Sequence, residues 1–235
     1  MTTIVLSSKA GYESALALSE ALECKYENPY ETENRHFLGY DKVIKYGFSP
    51  GIVCDKGTTI INKTKSTVVA LDKIKTFKLF PDKSVPFTEN IKEAAKWLKE
   101  GQVAARATAT GHNSEGIVFC QTAEELLEAD AKFFTKYVEH TNEFRVNVWR
   151  NKVVSVYDKV QTGDLFSFKL FKGVEEQPQL VEFVQDVYDK TKLDWYGLDI
   201  LRDKDGKLTL LEINSAPILY PYTLKKLVSL IQEIE

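Results

Sequence analysis

The stretch Gly197-Leu198-Asp199-Ile200-Leu201-Arg202-Asp203-Lys204-Asp205-Gly206-Lys207-Leu208-Thr209-Leu210-Leu211-Glu212-Ile213-Asn214-Ser215-Ala216-Pro217 decides the reading of this chain. Two apolar runs flank a polar turn at Asp203 to Gly206, so Gly197 to Leu201 and Leu208 to Ile213 are expected to pair as antiparallel strands. Pleating puts Glu212 and Asn214 on one face and Leu211 and Ile213 on the other, while Asp199 sits between Leu198 and Ile200 on the neighbouring strand. Two carboxylates and an amide oxygen then converge. Hard oxygen donors of this kind suit Mg²⁺ or Mn²⁺ held between protein and phosphate. The competing reading is a solvated sheet face. The apolar runs around the carboxylates weigh against it, because unpaired charge is costly there.

Upstream lie two alternating strands, Glu143 to Trp149 and Val153 to Lys159, joined at Arg150-Asn151. Glu143, Arg145 and Asn147 share one face. A three-residue turn over Arg150, Asn151 and Lys152 sets Arg145 opposite Tyr157 and Glu143 opposite Lys159, whereas a two-residue turn sends Lys159 to the other face. Both registers remain open. Arg145 and Lys159 read as donors to phosphate oxygens or as members of a cross-strand ion pair. Earlier still, Gln102 to Arg106 and Gly116 to Cys120 form an expected hairpin around Ala107-Thr108-Ala109-Thr110-Gly111-His112-Asn113-Ser114-Glu115. Small and hydroxyl residues with Gly111 and Gly116 can fold backbone N–H groups over a polyphosphate. The loop matches neither the P-loop nor the dinucleotide fingerprint. His112 reads as a loop histidine, since no His or Cys partner stands at metal spacing. Ser7, Ser8 and Ser114 lack a nucleophile-elbow context.

The rest of the chain reads as a strand at Ile4 to Leu6, a helix over Glu13 to Leu22, and short strands at Asp41 to Gly47 and Thr59 to Ile61. One helix is expected over Ser66 to Phe80, ending before Pro81. Another runs over Ile91 to Glu100, capped by Thr88 or Asn90 and stopped by Gly101. Further helices are expected over Thr122 to Asp130, Leu180 to Lys190 and Tyr222 to Ile234, with a strand at Phe133 to Val138. The fold class is α+β with antiparallel sheets. Residues 1–65 make a small α/β N-terminal unit, and 66–235 form the remainder.

With 235 residues, 43% hydrophobic and 28% charged, the chain has the composition of a globular protein. The balance of 31 Lys plus Arg against 34 Asp plus Glu, a net charge of -3, leaves no basic field for nucleic acid, which is not expected as a partner. Cys24, Cys54 and Cys120 form neither a disulfide framework nor a zinc cluster. No apolar run approaches the ~18 residues that cross a bilayer, and the N-terminus lacks a signal-peptide pattern, so no membrane partner and a cytoplasmic location are expected.

In order along the chain, these pieces resemble the ATP-grasp superfamily of carboxylate-amine ligases, which includes glutathione synthetase, D-Ala-D-Ala ligase and the ribosomal-protein glutamate ligases. The resemblance runs from about Thr58 to Pro217. Gly-Leu-Asp-Ile-Leu followed by Leu-Leu-Glu-Ile-Asn-Ser-Ala-Pro is similar to that family's metal-binding Asp and Glu-x-Asn signature. The resemblance implies that Asp199, Glu212 and Asn214 hold the metal. Leu71 to Thr76 with Val85 to Thr88 is similar to the family's segment whose lysine, here Lys73, reaches a phosphate. Arg106 stands where a second nucleotide-binding lysine is usual. Gly111, Ser114 and Gly116 belong to the loop implied to cover the phosphates. Lys136, Tyr137, Val138 and Glu139 resemble the hinge that pairs with adenine, with Glu139 toward the ribose. Glu143, Arg145 and Lys159 resemble the following hairpin, which also contacts the nucleotide and whose basic residues, Arg145 and Lys159, stabilise the transferred phosphoryl group. Pro217 is followed by Ile218, where the family commonly has glycine.

The implied fold is an ATP-grasp domain, 66–235, in which two antiparallel-sheet subdomains clasp the nucleotide: a lid-bearing one, 66–135, and a metal-binding one, 136–235. The implied activity is ADP-forming ligation of a carboxylate to an amine through an acyl phosphate. ATP and Mg²⁺ (or Mn²⁺) are the implied cofactors, and small-molecule or peptide carboxylates and amines the substrates. A small-molecule kinase of the same fold and a nucleotide-binding interaction module without turnover are the alternatives. Tyr220 and Tyr222 read as ordinary packing ahead of lining the acceptor side.

Overall fold

Ile4-Val5-Leu6 is apolar without alternation, the pattern of a strand covered on both faces. In the computed structural model, which describes residues 1–110, 116–162, 165–173 and 177–234, it forms the buried middle of β1 (Thr3–Ser7). The chain continues through α1 (Tyr12–Ala21), β2 (Lys25–Glu27), α2 (Pro29–Thr32), β3 (His36–Phe37), β4 (Lys42–Tyr46), β5 (Val53–Cys54) and β6 (Thr59–Ile61). The order β2-β1-β4-β6 is parallel throughout, and β3 and β5 make a separate small pair. Strands β2, β3 and β5 are too short to show a period and escape the sequence reading.

The single helix expected over Ser66 to Phe80 is two, α3 (Thr64–Ala70) and α4 (Lys73–Leu79). Asp72 causes the break: it is extended, and its carboxylate accepts the Lys75 N–H at 3.1 Å, capping α4. After β7 (Phe87–Thr88) and α5 (Ile91–Trp97), which is capped by Asn90 rather than Thr88, come β8 (Val103–Arg106) and β9 (Ile117–Cys120). Next, α6 (Ala123–Glu128) starts at a capping box of Thr122 and Glu125 and stops two residues before Asp130. β10 (Phe133–Lys136) also ends two residues before its expected limit at Val138. These strands form an antiparallel sheet in the order β7-β10-β8-β9, with α5 and α6 on one face over Val103, Ala105, Cys120 and Phe134.

The third sheet is antiparallel, in the order β13-β12-β11-β14-β15, and is built from β11 (Asn142–Trp149), β12 (Lys152–Thr162), β13 (Leu165–Leu170), β14 (Trp195–Arg202) and β15 (Leu208–Asn214). β13 is not among the strands expected from the sequence. α7 (Pro178–Thr191) seals one face over Val146, Val156, Leu198 and Ile213. α8 (Pro221–Gln232) and the N-terminal sheet pack on the other face at one end, against Trp149, Val154 and Trp195. Ile74, Phe77 and Phe133 meet Leu201 at the opposite end. Between these two apolar clusters the same face carries polar side chains.

Two bulges tune that face. The turn after β11 has two residues, since Trp149 pairs with Lys152, yet Val154 is extra, and the pairing resumes with Asn147 opposite Ser155 and Arg145 opposite Tyr157. A short turn thus reaches the register expected of a longer one. In β15, Leu211 is extra between the pairs Asp199 with Glu212 and Ile200 with Leu210. Leu210 joins the cluster under α7 while Leu211 packs toward Ile74 and Phe77, so Leu211 does not share Ile213's surroundings as simple alternation requires.

One residue fastens the N-terminal sheet to the third. Asn62, fully buried with a left-handed φ of 62°, accepts the N–H groups of Asp194 and Trp195 on Oδ1 at 3.0 Å each. Its Nδ2 donates to the carbonyls of Trp195 at 2.7 Å and Lys45 at 3.3 Å.

Candidate active site

Adjacent strands bring the acidic residues together. Arg145 of β11 lies opposite Asp199 of β14, which lies opposite Glu212 of β15. Asn214 stands two pairs further along, opposite Gly197. Arg145 grips Asp199 with both arms of its guanidinium, Nε to Oδ1 and Nη2 to Oδ2, the latter at 2.9 Å. Such a forked pair is stronger and better oriented than a lysine contact. Lys73, at the start of α4, crosses the cleft to Glu212 Oε1 at 3.2 Å. Asp72, by ending α3 and starting α4 where it does, places that lysine. Further along, Lys159 Nζ donates to Glu143 Oε1 at 2.7 Å. Arg106 of β8 is buried, and its Nε donates to Thr135 Oγ1 at 3.1 Å.

Burial pushes the Glu212 carboxyl pKa up and nearby Asp199 adds to this, while Lys73 and Arg145 pull it down; the net direction is upward. Burial opposes the Arg145 charge, but Asp199, with Glu212 and Glu143 beyond it, more than offsets this and raises its pKa. Burial lowers the pKa of Arg106, with Glu212 acting against it. Arg145, Arg106 and Lys73 thus all interact with Glu212, and Arg145 also with Asp199.

Among the described residues no three Asp, Glu, His or Cys side chains gather as a metal group. The donor set is two carboxylates and the Asn214 amide. All are hard oxygens that fit Mg²⁺ when phosphate oxygens complete the shell. Arg145 and Lys73, which now balance the carboxylates, are also the groups that a phosphate would attract.

The expected hinge lies elsewhere on the cleft. Lys136, Tyr137, Val138 and Glu139 line a cavity of about 610 Å³ together with Gln102 and Thr209. Backbone bonds fix its course: Lys136 N–H to the Pro86 carbonyl at 2.9 Å and Tyr137 N–H to Gln102 at 3.0 Å. The Lys136 side chain pairs with Glu100 at 2.5 Å. Gly111 and Ser114 lie outside the described residues. Gly116, with a left-handed φ of 68°, closes the β8–β9 hairpin through the Ala107 N–H to its own carbonyl at 2.9 Å.

A polar chain that is not expected from the sequence runs next to Arg145. Asn147 Nδ2 donates to Ser155 Oγ at 3.1 Å, and Thr223 Oγ1 at the start of α8 meets Ser155 Oγ at 2.7 Å and Tyr157 Oη at 2.9 Å. Its signal is the small and hydroxyl residues on the cleft face of β12. Tyr220 packs on Tyr157 and Phe168, with centroids 4.7 and 6.2 Å apart, and Tyr222 is exposed. Among the described residues no helix is long and apolar enough to cross a membrane.

In structure the chain is similar to the ATP-grasp ligase PsnB complexed with minimal precursor, with TM-score 0.73 and 13% identity over 98% of each chain. It is also similar to the D-alanine–D-alanine ligase of Bacillus anthracis complexed with ATP, with TM-score 0.72 and 13% identity over 99% of this chain and 97% of that one. A RiPP-associated ATP-grasp ligase of Chryseobacterium gregarium, in complex with ADP and a leader and core peptide, matches with TM-score 0.68 and 15% identity over 100% and 98%. No curated protein matches. At such identities the likeness establishes the fold. A family model described as an ATP-grasp domain, clade family 3, matches residues 62–234. That span contains all three strands that meet at Asp199, and on this match the chain belongs to that family of ATP-grasp domains.

Proposed function

We propose that this protein is an ATP-dependent, ADP-forming ligase that joins a carboxylate to an amine. The observation that carries the reading is the unbroken run Lys73, Glu212, Asp199, Arg145 on the cleft face, where a buried and a part-buried carboxylate are balanced by two cations. A carboxylate oxygen of the first substrate attacks the γ-phosphorus, the bond to the β-phosphate oxygen breaks, and ADP leaves. The amine nitrogen then attacks the acyl carbon, phosphate departs, and the amine gives up a proton.

Such phosphoryl transfer needs charge neutralisation and positioning more than covalent help. Arg145 and Lys159 take the role of holding the transferred group, and Lys73 and Arg106 that of holding the phosphates that stay. Asp199, Glu212 and Asn214 would hold Mg²⁺, which supplies charge stabilisation at the β- and γ-phosphate oxygens. The segment Lys136 to Glu139 and Glu143 would seat adenine and ribose, and Gly111, Ser114 and Gly116 would cover the phosphates. In this reading residues 1–65 form a small unit ahead of an ATP-grasp domain of two subdomains, 66–135 and 136–235, working in the cytoplasm. Peptide acceptors and small molecules both fit, since the solved relatives include complexes with precursor peptides as well as a D-alanine–D-alanine ligase.

Calorimetry with ATP and Mg²⁺ tests the first requirement. Saturable binding in the micromolar to low millimolar range is expected, and it should fall when Mg²⁺ is removed with chelator. Lack of any nucleotide affinity at millimolar ATP and Mg²⁺ would remove the reading.

A further inference from the structure

Asn214 leads into Ser215-Ala216-Pro217, and this segment threads between the N-terminal sheet and the third sheet with almost no clearance. On the N-terminal side, the Gly47 N–H donates to the Ser215 carbonyl at 3.2 Å, and a Cβ on Gly47 would stand 2.7 Å from the Ala216 Cβ. Tyr46, fully buried, donates its hydroxyl to the Pro217 carbonyl, and the Ser14 hydroxyl accepts the Leu219 N–H at 3.1 Å. On the other side is Gly197 of β14. A Cβ there would lie 2.8 Å from the Pro217 Cβ and 3.2 Å from Cδ of Arg145. Real Cβ atoms essentially never come within 3.0 Å of another heavy atom. Gly197 is not among the glycines with left-handed backbone, so it is space that requires glycine at this position.

Two groups use that space at once. One is Pro217, three residues beyond Asn214. The other is the aliphatic stem of Arg145 on its way to Asp199. An added methyl must push one or both of them, and Tyr46 and Gly47 prevent Pro217 from yielding toward the N-terminal sheet.

We propose that Gly197 is a positioning residue for the phosphate end of the site: its missing side chain lets the Pro217 segment and the Arg145 stem lie side by side, and so fixes the Asn214 amide and the Arg145 guanidinium relative to Asp199. Tyr46 holds the same segment from the opposite side, which gives the N-terminal sheet a direct part in shaping the site. This inference rests on the reading that Asp199, Glu212 and Asn214 hold a divalent cation with nucleotide.

The test is calorimetric titration of Mn²⁺ into the full chain saturated with ADP, alongside ADP affinity in chelator and the melting temperature without ligand. Gly197→Ala should weaken Mn²⁺ by about 10- to 100-fold, the usual range for residues that orient metal ligands, with ADP alone changed less than about twofold. Tyr46→Phe keeps the ring and should weaken Mn²⁺ by about threefold or more. Gly51→Ala, at a position with no atom within 4 Å of the new Cβ, is the control and should match wild type. A folded Gly197→Ala variant with wild-type Mn²⁺ affinity overturns the inference, since packing alone would move the melting temperature and not the metal. If Gly197→Ala does not fold, unchanged Mn²⁺ affinity in Tyr46→Phe overturns it. A wild-type chain that binds no ADP overturns the proposed function along with it.

Discussion

Glu212→Gln should slow ADP release by about 10²- to 10³-fold while the folded chain loses no stability. The amide retains an oxygen for Lys73 Nζ, now 3.2 Å from Oε1, so packing and the cross-cleft contact survive. What disappears is the charge that a divalent cation and its phosphates require. Burial makes Glu212 hold its proton more tightly in the folded chain than the ordinary carboxyl value of 4.5. Its contribution therefore favours folding below that value and is lost as pH rises through the raised folded value. The glutamine variant has no such loss. Its nucleotide-free melting temperature should match wild type near pH ~4 and exceed it at pH ~7. Asn214→Ala should show the same fall in turnover without the pH signature, because an amide does not titrate. A Glu212→Gln variant that releases ADP at the wild-type rate would take Glu212 out of the site.

Asn62→Ala should be the most destabilising single change outside the cleft. The side chain satisfies two N–H groups and two carbonyls drawn from β4, β14 and the residue before β14, with three of the four bonds buried and the one from Asp194 part-buried. Alanine fills none of these roles and must also adopt a φ of 62°, which asparagine tolerates far better. Buried groups left unpaired cost about 1–3 kcal/mol each, so a loss of about 4 kcal/mol or more is expected from chemical denaturation. Domains have only about 5–15 kcal/mol in total, and the variant should be close to unfolding at growth temperature. Asn62→Gly should relieve the backbone strain alone and recover about 1 kcal/mol. A loss below about 1 kcal/mol in Asn62→Ala would show that water replaces the missing bonds.

Both residues matter for reasons that are unequally visible in the sequence. Glu212 can be found because its neighbours alternate with it in a strand with a clear turn before it, and because Asp199 and Asn214 stand at matching positions. Asn62 cannot, since three of its four side-chain bonds reach residues 132 and 133 positions away and nothing local marks it. Gly197 is similar: a glycine within an apolar strand signals close approach, but what approaches is decided by Pro217 and by a stem from another strand.

The bulges are hidden for a different reason. Val153-Val154-Ser155 and Leu210-Leu211 are good strand formers in either register, so an extra residue changes no local preference. The helix break at Asp72 is masked because the apolar spacing of Val69, Leu71, Ile74 and Phe77 continues across it, while the cap competes with the helix only through one side-chain bond. Order and type of the main elements follow from composition and period. The exact face that each catalytic candidate presents follows from these few irregular residues.

The central claim is that ATP cleavage is coupled to forming an amide. It is tested most directly by incubating the chain with ATP, Mg²⁺ and panels of amino acids and short peptides, with ADP release and product mass followed together. A product whose mass is that of the carboxylate and the amine less one water, formed in step with ADP and phosphate, is the expected result. A phosphorylated substrate with no amide, accumulating as ADP is released, would contradict the claim and make the protein a kinase built on the same fold.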